Sequence, residues 1–145
     1  MKRSLRIVFS GVLVALSMLL TSCRGDWYYE LPNDYVIDRS NAHTISLVKK
    51  NLNSQSYSFV LEKYYVFAVC VTDEYILTSG IQTAGRSATD EELMQEDRVY
   101  YAVNYETDEI LGPFVQEDNL KAQLSDVLEM SEIQWIYTED INSTD

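Results

Sequence analysis

The chain carries two hydrophobic periods in succession, and the change between them sets the expected architecture. From Trp27 onward, apolar residues recur at every second position or in short unbroken runs rich in Tyr, Val and Ile, which is the pattern of β-strands. Trp27, Tyr29 and Leu31 alternate with Tyr28 and Glu30, and Pro32-Asn33-Asp34 then supplies turn residues before Tyr35-Val36-Ile37. Asn41-Ala42 predicts a second turn, followed by His43 to Val48 with Ile45 and Leu47 on one face. Beyond the polar stretch Lys49 to Ser56, the segments Tyr57 to Leu61 and Tyr64 to Thr72 read as two further strands. The second is apolar at nearly every position and predicts a buried central strand. Asp73-Glu74 turns the chain into Tyr75 to Thr78.

Gly80 to Asp97 interrupts this pattern, and within it Thr89-Asp90-Glu91-Glu92 matches a capping box, which predicts a short helix over Asp90 to Gln95. Strand character resumes at Val99 to Tyr105, with Val99, Tyr101, Val103 and Tyr105 on one face. Glu106-Thr107-Asp108 predicts a hairpin loop into Glu109-Ile110-Leu111, ended by Gly112-Pro113. From Gln116 the period lengthens: Leu120, Leu124, Val127 and Leu128 follow helical spacing, and Glu117 and Asp118 occupy the first turn, where acids complement the helix dipole. This predicts an amphipathic helix over Gln116 to Met130, with Ile133 to Tyr137 returning as a last strand. The sum is a single α+β domain over residues 27–138, an antiparallel, meander-like sheet with one C-terminal amphipathic helix packed on it. Residues 139–145 form a polar, acidic tail expected to fray.

The N-terminus obeys a different logic. Lys2, Arg3 and Arg6 precede an apolar stretch from Ile7 to Leu20 interrupted only by Ser10, Gly11 and Ser17. A membrane-crossing helix needs about 20 apolar residues, so this shorter run reads as an export signal. Leu20-Thr21-Ser22-Cys23 follows and resembles the lipobox of bacterial lipoproteins: an aliphatic residue, two small residues and a cysteine. The resemblance implies that residues 1–22 are a signal peptide cleaved between Ser22 and Cys23. Cys23 would then be the lipidated mature N-terminus, joined to the domain by a short tether, residues 23–26. Two acyl chains give stable anchoring where one is marginal, each buried methylene contributing about 0.8 kcal/mol. The alternative is an ordinary secretory signal with an incidental cysteine, and mass spectrometry of the mature N-terminus separates the two.

This division changes the meaning of the charge. The 145 residues hold 11 Lys and Arg against 23 Asp and Glu, a net −12. Residues 1–22 contain three of the bases and none of the acids, so the remaining chain carries 8 bases against 23 acids, a net −15. Such a surface repels nucleic-acid phosphates and anionic lipid, which excludes nucleic acid as a partner and leaves membrane attachment to the diacylglyceryl-cysteine. With 46% hydrophobic and 12% aromatic residues, the chain has material for a core and is not disordered.

Candidate chemistry is sparse. Cys23 and Cys70 are the only cysteines, so acylation of Cys23 leaves no intramolecular disulfide, and Cys70, within the apolar run, is expected to be a packed core thiol. The lone histidine, His43, lies near Asp38, Ser40 and Ser46 in sequence but lacks the glycines of a nucleophile elbow, so a strand-edge histidine is expected. One histidine and one free cysteine do not make a zinc site. The acidic clusters Asp90-Glu91-Glu92, Glu96-Asp97, Glu106-Thr107-Asp108-Glu109 and Glu117-Asp118 lack the alternating ligands and central glycine of a calcium loop, and read as solvated faces and helix starts. Gly80, Gly85 and Gly112 form no phosphate-binding loop. No residue is therefore assigned a catalytic, cofactor-binding or metal-ligating role. Arg24-Gly25-Asp26, the tripeptide of adhesion ligands, and Asn142-Ser143-Thr144, a glycosylation sequon, are too short to carry a function. Eleven tyrosines stand out, and pairs such as Tyr28-Tyr29, Tyr64-Tyr65 and Tyr100-Tyr101 are expected to place one ring in the core and the other at the surface.

Taken together, the lipobox, the aromatic segment behind it, Tyr35-Val36-Ile37-Asp38-Arg39, and Tyr101-Ala102-Val103-Asn104 leading through Glu109-Ile110-Leu111-Gly112-Pro113-Phe114 to a helix are similar to small bacterial lipoproteins of uncharacterised function. The resemblance implies an extracytoplasmic, lipid-anchored place on the cell or outer membrane and supplies no catalytic residue. Arg24 stands where many Gram-negative lipoproteins retained at the inner membrane carry aspartate. The expected function is a non-enzymatic binding domain for a basic protein or an envelope component. A cell-envelope hydrolase or small-ligand-binding protein using carboxylates and His43 is the alternative.

Overall fold

The computed structural model describes residues 26–127 and 133–141. Nine strands form two antiparallel sheets. The first holds β1 (Trp27–Glu30), β2 (Tyr35–Asn41), β3 (Thr44–Asn51) and β4 (Ser56–Phe59) in the order β1-β2-β3-β4. The second holds β5 (Tyr64–Val71), β6 (Tyr75–Gln82), β7 (Val99–Asn104), β8 (Ile110–Phe114) and β9 (Ile136–Tyr137) in the order β8-β7-β6-β5-β9. Two α-helices, α1 (Asp90–Leu93) and α2 (Glu117–Leu124), and a 3-10 turn at Pro32–Asp34 complete the described chain. The fold is thus mainly β and antiparallel, as the alternation predicts.

A single meander sheet is not what forms. The chain leaves β4 at Val60 and re-enters at Tyr64 in a second layer, with Lys63 in the left-handed region at φ 52°. The cause lies in the composition of β5 to β7, which carry apolar side chains on both faces and need cover on both. On one face Tyr64, Val66, Val69, Ile76, Tyr101 and Val103 pack against Tyr35, Ile37, Ile45 and Leu47 of the first sheet. On the other, Cys70, Leu77 and Ala102 pack against Leu120 and Leu124 of α2 and against Ile133. One sheet serves as the shared middle layer. The same double cover corrects the tyrosine expectation: Tyr28 is exposed, but Tyr64 and Tyr65 are both buried, and Tyr101 is buried while Tyr100 packs beneath α2.

The predicted face of Val99, Tyr101, Val103 and Tyr105 is observed, all four lying in or against the inter-sheet core. The capping box is also in place: Thr89 Oγ1 accepts from Glu92 N at 3.2 Å while Glu92 Oε2 accepts from Thr89 N at 2.8 Å. Its helix is shorter than predicted, closing at Leu93. The C-terminal helix likewise spans Glu117–Leu124 and not Gln116 to Met130; the chain turns through Val127, half exposed, and residues 128–130 lie outside the described set. The last strand contracts from Ile133–Tyr137 to Ile136–Tyr137.

Two glycines read as strand breakers sit inside strands. Pro113 follows Gly112 in β8, an edge strand where its missing N–H leaves no neighbour unpaired. Gly80 lies in β6 opposite an irregularity in β5: Val66 pairs with Gly80 and Ala68 with Ser79, so Phe67 is an extra residue. A Cβ at Gly80 would stand 2.1 Å from the Tyr65 carbonyl oxygen and 2.6 Å from Tyr64 Cζ, so only glycine lets β5 bulge here.

Candidate functional site

The bulge helps to build a cleft among the described residues. An extra residue bends its strand and re-aims a side chain, and Phe67 becomes part of the lining of a cleft of about 620 Å³, a volume in the range of small-molecule sites. Its carbonyl is claimed from the C-terminal side, where Thr138 N donates to Phe67 O at 2.8 Å and Thr138 Oγ1 reaches Val66 O at 3.2 Å. That anchor holds β9 beside β5 and sets Tyr137 and Glu139 along the wall. Arg98, just before β7, stacks its guanidinium 4.1 Å from the Phe67 ring centroid and donates to Gln95 O at 2.6 Å. Tyr65 lies against the same ring at 4.9 Å. Across the cleft, Trp135 stands 6.1 Å from Tyr100 and donates its indole N–H to Glu117 Oε2 at 3.2 Å. Glu117 is itself oriented by Lys121 one helical turn on, at 2.8 Å.

Arg39 comes from the first sheet, paired with Trp27 on one side and Ile45 on the other. Its Nε is buried and has no hydrogen-bond partner among the described residues, and its side chain makes no ion pair with any of them. A buried donor left unpaired costs about 1–3 kcal/mol. Arg39 and Glu139 both act on Tyr65: burial raises the pKa of its hydroxyl, the guanidinium pulls it down and the carboxylate pushes it up. That hydroxyl donates to Ala42 O at 3.2 Å and stays protonated at neutral pH. The cleft therefore combines five aromatic rings, two arginines without carboxylate partners among the described residues, and two carboxylates. Rings stack on flat or apolar groups, guanidinium forks bind carboxylate or phosphate, and carboxylates accept from hydroxyl or ammonium donors.

The residues singled out from sequence fall elsewhere. Ser22 and Cys23 lie outside the described residues, as do Arg24, Gly25 and residues 142–144. His43 is half-buried at the β2–β3 turn, and its Nδ1 lies 3.0 Å from Ala88 O; its nearest acid is the exposed Asp90, at 3.8 Å. Asp38 and Ser40 bond to each other at 2.7 Å and not to His43. The histidine thus helps pin the loop before α1 to the first sheet, beside the Thr44–Ser87 hydroxyl pair at 2.8 Å. Cys70 is buried, and desolvation raises its pKa, which disfavours the reactive thiolate. The acid clusters take structural posts. Glu92 closes the capping box, and Asp108 accepts from Lys49 and Tyr35, fastening the β7–β8 loop to the first sheet. Among the described residues, no group of three or more His, Cys, Asp and Glu side chains is placed to hold a metal ion, and no helix is long and apolar enough to cross a membrane.

Arg39, Arg98, Trp135 and Tyr137 went unmarked as site residues because they come from three separate segments, each ordinary by itself. The available signal was weak: two of the few bases of an acidic chain, each close to a concentration of aromatic residues.

Fold and site together define a class: a mainly-β domain of two packed antiparallel sheets with an aromatic, two-signed cleft at a bulge of the shared layer. The chain belongs to the family described as Protein of unknown function (DUF3997), whose model matches residues 32–134. The match takes in β2 through β8, the helix α2, and the arginines of the cleft; it begins after β1 and stops before Trp135 and β9. No curated protein and no solved structure matches the chain.

Proposed function

We propose that this protein is a bacterial envelope lipoprotein, held at a membrane by diacylglyceryl-Cys23, whose folded domain is a non-enzymatic binding module with the bulge cleft as its binding site. The observation that carries the reading is the cleft: about 620 Å³ walled by stacked rings and by charged groups whose positions are set by the bulge, by Thr138 and by α2. The anchor is supported by the n-region bases, the short apolar run and Leu20-Thr21-Ser22-Cys23. Only Arg24, Gly25 and Asp26 separate that cysteine from β1, and at about 3.5 Å per extended residue the domain sits close to the bilayer surface. The acidic exterior around the cleft favours a basic protein or envelope partner that also places a group in the cleft, with association that weakens as salt rises.

Labelled palmitate should enter the wild-type protein and not Cys23→Ala; equal labelling refutes the anchor. Affinity capture from its own envelope, read by mass spectrometry, should retain a partner that is lost when Trp135→Ala and Phe67→Ala open the cleft. Retention by those folded variants refutes the cleft as the site.

A further inference from the structure

The charges of the cleft run against those of the protein. In a chain of net −12, with 23 acids against 11 Lys and Arg, the charged neighbours of an arginine are expected to be mostly carboxylates. Yet neither Arg39 nor Arg98 forms an ion pair with a described residue, and both line one cleft. Arg39 has a buried Nε–H with no acceptor, and Arg98 is already oriented by Phe67 and by Gln95 O, so its fork is fixed before any ligand arrives. Of the two carboxylates on the same space, Glu117 is engaged by Lys121 and by Trp135 Nε1, and Glu139 acts on the Tyr65 hydroxyl without an ion pair to a described residue. Two guanidinium groups against one such carboxylate leave the cleft a net capacity for an acceptor of negative charge, set among aromatic walls.

We infer that the cleft binds a small organic anion, a carboxylate or phosphate group carried on a flat apolar or aromatic body. The anion engages Arg39 and Arg98, and the body packs against Trp135 and the other rings of the cleft wall. Two planar guanidinium groups match the paired oxygens of either anion, which a neutral or cationic ligand does not offer. The inference rests on the reading of the cleft as the binding site and names its ligand class. It stands apart from the lipid anchor, since the cleft is built without Cys23. The long-range field of the domain repels anions, so the affinity comes from the local contacts.

The test titrates the full-length protein in non-ionic detergent with benzoate, phenyl phosphate, benzyl alcohol, benzylamine, acetate and inorganic phosphate. Binding is followed by calorimetry and by the indole N–H resonance of Trp135, assigned with Trp135→Phe. Benzoate or phenyl phosphate should saturate the site in the millimolar range and shift that resonance. Benzyl alcohol and benzylamine, which lack the anion, and acetate and inorganic phosphate, which lack the ring, should each bind at least about tenfold more weakly. Preference for benzoate assigns a carboxylate ligand, and preference for phenyl phosphate a phosphate ester. Arg39→Gln and Arg98→Gln should each weaken the anion about tenfold, while Lys63→Gln, outside the cleft, should not. The wild-type comparison among probes decides the matter even if an arginine variant fails to fold. Benzyl alcohol or benzylamine binding as tightly as benzoate overturns the anion preference and leaves the cleft as a site. Absence of binding by every aromatic probe at about 10 mM overturns both.

Discussion

Gly80→Ala tests whether the bulge, and with it the cleft, depends on one missing methyl group. The added Cβ would stand 2.1 Å from Tyr65 O and 2.6 Å from Tyr64 Cζ, where separations below 3.0 Å are essentially never seen. The first obstacle is backbone and the second a ring whose hydroxyl is committed to Val99 O at 2.7 Å, so neither gives way freely. About 1 Å of strand displacement is required. Overpacking of a filled core costs about 1–3 kcal/mol, and weakening one or two ladder bonds around Phe67 adds about 1 kcal/mol each. The variant should lose about 3 kcal/mol of a total in the range of about 5–15 kcal/mol. At about 3–6 °C per kcal/mol for a domain of this size, its thermal midpoint should fall by roughly 10–20 °C. Urea and thermal unfolding followed by tryptophan fluorescence measure this directly. Gly85→Ala is the control: the nearest atom to its added Cβ is Ser87 O at 3.9 Å. It should be neutral or stabilise by up to about 1 kcal/mol, through the unfolded chain. A Gly80→Ala protein within about 1 kcal/mol of wild type, or a Gly85→Ala protein equally damaged, refutes the account of the bulge.

Leu120→Ala removes the fully buried side chain by which α2 covers the middle sheet and should cost about 2–5 kcal/mol in urea midpoint analysis, with a loss of near-ultraviolet circular dichroism from Trp135. Thr89→Ala deletes the capping oxygen of α1 and should cost about 1 kcal/mol by the same measurement. Hydrogen bonds from Lys49 and Tyr35 hold the Asp108 carboxyl below its usual pKa, so its contribution is present above the unfolded-state value and is lost as pH falls through the lower folded one. Because the side chain is more than half exposed, the effect is under about 1 kcal/mol. The stability difference between wild type and Asp108→Asn should shrink below about pH 4, and a difference that grows there refutes the assignment. Burial, and for Tyr35 the hydrogen bond to Asp108, raise the pKa of Tyr35 and Tyr64. Their stabilisation is full below about pH 10 and is lost above it, so tyrosinate absorbance from these two rings should appear only with unfolding.

The sequence made the strands legible where one face meets the core and the other meets something different. Ile45 and Leu47, and the face of Val99, Tyr101, Val103 and Tyr105, were readable for this reason, as was the capping box, whose two partners lie three residues apart. The division into two sheets was not readable, because Val60 to Lys63 carry neither Gly nor Pro and resemble any other hairpin connection. A sign was present in Tyr64 to Val71, since a strand apolar on both faces needs two covers; it foretold a central strand but not what would lie on each side. The length of α2 was misread because Val127 fits the helical spacing, although the helix has closed before it. The cleft was hidden most completely. Its bulge depends on a close approach between Gly80 and Tyr65 that no local pattern encodes, and its arginines arise 59 positions apart, at 39 and 98.

The order of strands has a consequence for how the molecule is made. The first sheet closes entirely within residues 27–59, each strand beside its predecessor, so it is complete early in a chain built from its N-terminus. Its inner face of Tyr35, Ile37, Ile45 and Leu47 then has no cover until Tyr64 to Val103 arrive, and the middle layer stays bare on its outer side until α2 is added. Nascent protein therefore passes through stages that each display a broad apolar plate, the condition under which chains stick to one another. Assembly in chain order would be a successive lamination, completed by β9, the last strand in sequence, at the edge that carries Tyr137 of the cleft.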